Sequence, residues 1–224
     1  MQNGLSTGIK FYSMGRYENA LDEFLGIDDE PSSNPVLSYY IGLCYTKLEK
    51  YEDALLYLEQ VVTGSENLLQ IYQCRMVLGY IYTLTGRFRL AQFEFDELVK
   101  GGYESPQTYA ALGYIAYMQK QKNKGVEFFE KALSLDPENT NAMNSLGYTL
   151  ADMGIRLEEA EGLCRKAVKK HPENPAYLDS LGWVYYQQGK HDAALDHLRR
   201  ALDKTGGNKT IAEHIRIVLD GKKE

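Results

Sequence analysis

The chain has 224 residues, 44% hydrophobic and 25% charged, the composition of a folded globular protein rather than a disordered one. Its formal net charge of −6 and pI near 5.4 lack the cation surplus that phosphate backbones demand, so no nucleic acid is expected as partner. No stretch approaches the length of an apolar membrane span, so no direct membrane insertion is expected, and the first residues carry neither the basic nor the apolar region of an export signal. The expected location is cytoplasmic, or periplasmic if an export signal has been removed.

Along the chain, a glycine recurs at Gly8, Gly42, Gly79, Gly113, Gly147 and Gly182. A small residue follows twelve residues after each (Ala20, Ala54, Ala91, Gly125 and Ala194, with Ala160 one step late), and a larger one comes four residues later (Phe24, Leu58, Phe95, Phe129, Cys164, Leu198). Small residues at fixed helical offsets are what two closely crossing helices need, with bulky neighbours filling the space beside the crossing. Prolines sit only at the joints. Asn34-Pro35, Ser105-Pro106 and Asn174-Pro175 place a capping side chain before a Pro at the first helical position. Pro31, Pro137 and Pro172 fall at or beside the turn that closes a unit.

The repeats predicted are 1–34, 35–68, 72–105, 106–139, 140–174 and 175–208, with a three-residue insertion at Leu69-Gln70-Ile71. A capping helix over about 209–220 then offers Ile211, Ile215, Val218 and Leu219 on one face. No unit can bury its apolar face alone, so the units stack around a continuous core. In this phased pattern the chain resembles the tetratricopeptide repeat (TPR) family from end to end, and its fifth and sixth units resemble those of bacterial members. The resemblance implies an all-α fold, an α-solenoid of about 13 helices in a single right-handed superhelix.

The fourth unit departs most from the pattern, with Ala116, Lys122 and Gly125 where larger or more helix-favouring residues are usual. A helical Gly costs about 1 kcal/mol relative to Ala, which predicts a soft joint over 116–129.

Chemistry is harder to find. The three cysteines, Cys44, Cys74 and Cys164, form no CxxC pair, so neither a disulfide framework nor a zinc site is expected. The sequence holds no HExxH, phosphate-cradling glycine loop or nucleophile elbow. The expectation is a non-enzymatic protein with no cofactor, no metal site and no catalytic residues.

The resemblance instead implies a concave groove lined by the first helix of each pair. Its protein-binding candidates are Tyr12, Tyr39, Lys47, Tyr80, Tyr114, Tyr117, Asn144, Tyr148, Asp152, Asp179, Trp183 and Tyr186. Relatives that clamp a terminal carboxylate do so with Lys, Asn and Arg, where this chain has Leu5, Ile9, Tyr39, Leu43, Met76 and Tyr80. The clamp is therefore not expected. Tyrosine and tryptophan give contact area at small entropic cost, and Asp152 and Asp179 would favour a basic end on a bound segment. Tyr80, Tyr114 and Tyr148 lie near the seam between units and could equally be core.

The expected function is an interaction scaffold that takes a peptide or helix of another protein, in a larger bacterial assembly. The alternative is a self-associating structural component of an envelope, secretion or motility complex, a homo-oligomer. Charge is uneven: residues 1–105 hold 8 basic and 15 acidic side chains, residues 106–224 hold 17 and 16. Arg165, Lys166, Lys169, Lys170 and His171 cluster along one outer helix, either a solvated face or a patch for an acidic partner.

Overall fold

A computed structural model describes residues 2–221. Among these, thirteen α-helices and one short 3-10 turn at Pro31–Ser33 are present, and no strand. The chain divides into two compact units, Met1–Glu104 and Ser105–Glu224. The first holds α1 (Gln2–Ser13), α2 (Tyr17–Leu25), α3 (Pro35–Lys47), α4 (Tyr51–Gly64), α5 (Leu68–Leu84) and α6 (Phe88–Lys100). The second holds α7 (Pro106–Met118), α8 (Lys122–Leu135), α9 (Thr140–Asp152), α10 (Leu157–Lys170), α11 (Pro175–Gln187), α12 (His191–Thr205) and α13 (Lys209–Gly221).

The helices start where their caps say. The side chains of Asn34, Ser105 and Asn174 accept backbone N–H groups of the first turn, and Pro follows each at the first helical position. Asn67 does the same for Leu69 and Gln70, so the three extra residues do not form a spacer before the third pair. They lengthen α5 at its start, because the cap lies upstream of them.

Each odd-numbered helix from α1 to α11 meets the next one at its glycine. A Cβ built on Gly8, Gly42, Gly79, Gly113, Gly147 or Gly182 would lie within 2.8 Å of Phe24, Leu58, Phe95, Phe129, Cys164 or Leu198 respectively. The large side chain of the second helix thus lies directly over the bare backbone of the first. Phe24, Leu58 and Phe129 are buried there almost completely, and each such burial stabilises by about 1.5–3 kcal/mol.

The fourth pair, where a soft joint is expected, also crosses closely. A Cβ on Gly125 would stand 3.1 Å from the carbonyl oxygen of Gly113, and both glycines are buried. Two glycines face each other, so α8 approaches α7 closely where a larger pair would hold it off. Ala116 is buried beside them.

The lid is also adjusted. On α13 the buried residues are Ile211, His214 and Val218, while Leu219 is exposed. Ile215 packs against Leu198 and Ala201 of the preceding helix. Histidine takes the place expected for a leucine because α13 turns its 211–214–218 face inward.

Two outcomes follow from this packing. Burial pushes the thiols of Cys44, Cys74 and Cys164 up to about 12. The folded protein should leave all three unmodified by an aromatic disulfide reagent at pH 8, and all three should react after unfolding in guanidinium. Gly147→Ala would drive its methyl to 2.6 Å from the Cys164 sulfur and 2.9 Å from the Ala160 carbonyl oxygen. Backbone on one side leaves little room to relax, so the variant should lose about 1–3 kcal/mol of stability in denaturant titration.

Candidate protein-binding groove

In the first unit, α1, α3 and α5 bring Tyr12, Tyr39, Lys47 and Tyr80 together around one cleft of about 610 Å³. Leu43, Gln73 and Met76 complete the expected stripe. Five further residues line it: Thr46, Leu69, Tyr72, Val77 and Tyr103. Leu69 and Tyr72 arrive because α5 begins early, a signal that the Asn67 cap could have given. Tyr103 comes from the turn after α6 and had no signal in the helical stripe.

The cleft is aromatic. Burial pushes Tyr39 up to about 12 and raises Tyr12 as well. Tyr39 donates to Gln73 Oε1 at 2.9 Å, and Tyr72 donates to the Gly101 carbonyl at 2.6 Å. These bonds hold two rings, and Tyr72 also packs against Tyr103 at 5.6 Å. Tyr80 is 54% exposed, so it is not core. Lys47, exposed at the rim, is the only charged residue of the lining.

The second unit is built differently. Tyr117 donates to Asp152 Oδ2 at 2.8 Å, and Lys122 Nζ lies 2.7 Å from the same oxygen. Burial first, and then this bond, raise the Tyr117 pKa. Asp179 is held by His214 Nδ1 at 2.8 Å. Both carboxylates expected to receive a basic ligand are therefore already engaged by the chain itself. Asp152 thus joins α9 to Tyr117 and Lys122, and Asp179 joins α11 to α13.

Trp183 is likewise not a groove surface. It is 8% exposed, and the His214 ring stacks on it at 4.5 Å. The helix α13 supplies His214, so the lid covers Asp179 and Trp183 together. Tyr186 packs against Trp183 at 5.2 Å. Tyr148 stands edge-on to Tyr117 at 5.9 Å and is raised in pKa by burial.

This unit also holds a recess of about 200 Å³ lined by Tyr114, Tyr117, Asn144, Ser145 and Tyr148, among others. Tyr114 is exposed rather than core. Asn144 Oδ1 is buried without a hydrogen-bond partner. No cluster of metal-ligating side chains exists among the described residues.

Comparison with known proteins follows the same lines. Profiles described as Tetratricopeptide repeat match residues 138–204, 106–139 and 37–63. The chain is 41% identical over 108 residues to the TPR repeat-containing protein PA4667 of Pseudomonas aeruginosa. That alignment takes in 46% of this chain and 18% of the relative, so the chain spans a small part of the relative's length. A tetratricopeptide repeat protein from Parabacteroides merdae superposes with a TM-score of 0.75 at 16% identity, covering 97% of this chain and 98% of that one. YrrB, described as a TPR protein with an unusual peptide-binding site, superposes with a TM-score of 0.62 at 18% identity, over 93% and 98%. At these identities the structural matches speak for the fold.

The engaged carboxylate makes its own prediction. Asp152→Ala would strand the Lys122 ammonium and the Tyr117 hydroxyl in a half-buried place, costing about 1–3 kcal/mol. Urea titration should show this loss, and Lys122→Ala alone should cost less.

Proposed function

The chain belongs to the tetratricopeptide repeat family, and on that premise we propose that it is a non-catalytic scaffold that binds a peptide segment of a partner protein. The observation that carries this reading is the cleft of the first unit, where five tyrosines and apolar side chains surround about 610 Å³ of open volume. A volume in the range of about 300–1,000 Å³ with mostly apolar walls and few polar groups suits a ligand. Rigid aromatic rings are the usual anchors of such contacts. Tyr12, Tyr39, Lys47 and Tyr80 are its proposed binding residues. In the second unit Tyr114, Tyr117, Asn144 and Tyr148 offer a smaller recess for one side chain, whereas Asp152, Asp179, Trp183 and Tyr186 act within the fold.

The peptide-binding site named for YrrB supports the reading by fold likeness. Membership of a larger bacterial assembly is proposed from the resemblance of the fifth and sixth units to bacterial members of the family.

The test is selection of binders from a phage-displayed library of random linear peptides on the immobilised protein. Selected peptides should lose about tenfold or more in affinity for Tyr39→Ala/Tyr80→Ala, with the helical circular dichroism unchanged. Equal binding to the double variant would sink the proposed site.

A further inference from the structure

A further recess lies in the second unit. Its lining is Arg165, Lys166, Val168 and Lys169 of α10, Leu181 and Tyr185 of α11, and His197 of α12, around about 500 Å³. Three cations come from one helix at positions 165, 166 and 169, which share a face. No carboxylate lines it.

The neighbouring acids are few and shared. Glu161 holds both Arg165 at 3.2 Å and Lys190 at 3.0 Å. Glu138 holds Lys170 at 2.5 Å and lies in the field of Lys166. Asp196 stands 3.7 Å from His197 Nδ1 and 3.9 Å from Arg200. Among the described residues, Lys169 has no carboxylate within salt-bridge distance. The local balance is therefore positive, in a chain whose net charge is −6.

The floor is not polar. Val168 and Leu181 form it, with Leu181 buried, and Tyr185 stands edge-on to His197 at 5.3 Å. His197 Nδ1 faces the Ala193 carbonyl at 2.9 Å. A carbonyl only accepts, so Nδ1 carries the hydrogen and Nε2 is the ring atom left to the recess.

We propose that this recess docks an acidic segment of a partner protein, its carboxylates on Arg165, Lys166 and Lys169 and one apolar side chain on Val168, Leu181 and Tyr185. Charge complementarity carries the proposal, and the apolar floor distinguishes it from a merely solvated lysine face. It is independent of the tyrosine cleft, which lies in the other unit.

The probe is a fluorescein-labelled oligoglutamate peptide with one central leucine, titrated by anisotropy. Inorganic phosphate and vesicles of phosphatidylserine with phosphatidylcholine are run beside it. Expected is peptide binding that weakens as salt rises, falls about tenfold or more for Lys166→Glu/Lys169→Glu, and persists in Tyr39→Ala/Tyr80→Ala. A peptide in which serine replaces the leucine should bind more weakly. Three results would each overturn the proposal: no peptide binding, binding that the charge reversal leaves unchanged, and binding of phosphate or vesicles without the peptide. Circular dichroism shows whether the reversed variant is folded. If it is not, Lys169→Gln alone gives the same reading with a smaller loss.

Discussion

Everything in this structure depends on how closely the two helices of a pair can approach. Six times, a glycine leaves its backbone bare and a large side chain of the following helix lies over it. With any other residue there, the helices would stand apart by the thickness of a methyl group, and the core between them would open. The close approach buries Phe24, Phe95 and Phe129. It also fixes the direction in which the opposite face of each first helix points. The proposed binding surface is thus a consequence of the crossing rather than a separate device.

The two units use that surface differently. In the first, the stripe of α1, α3 and α5 remains open, neutral apart from Lys47, and rich in aromatic rings. In the second, polar residues at corresponding places pair with one another. Asp152 ties α9 to Tyr117 and Lys122, and Asp179 ties α11 to the lid through His214. A half-buried carboxylate is costly unless it is paired, and the chain itself provides the partners. The same residue type that looked like a ligand contact is therefore a joint.

The fourth pair shows why propensity alone misleads. Gly125 weakens a helix taken by itself, but here it faces Gly113 across the crossing and lets two backbones meet. Tertiary packing overrides the local preference. The same is true at the C-terminus, where the inward face of α13 is set by Trp183 and Asp179 rather than by the sum of its apolar residues.

By itself the sequence determined the period, the helix pairs, the capped starts and the helical stripe along one wall of the first cleft. These are encoded locally: a glycine, a cap or a proline acts on its own neighbours, and Tyr12, Tyr39, Lys47 and Tyr80 share a helical stripe. Only the tertiary structure decided which charges were free and which rings were covered. Asp152, Asp179 and Trp183 lie at the same stripe positions as exposed residues do, and their partners, Lys122 and His214, stand 30 or more residues away. No pattern within one helix can report a partner on another. The added reach of Tyr103 into the cleft was hidden for the same reason, since a turn after α6 places it there.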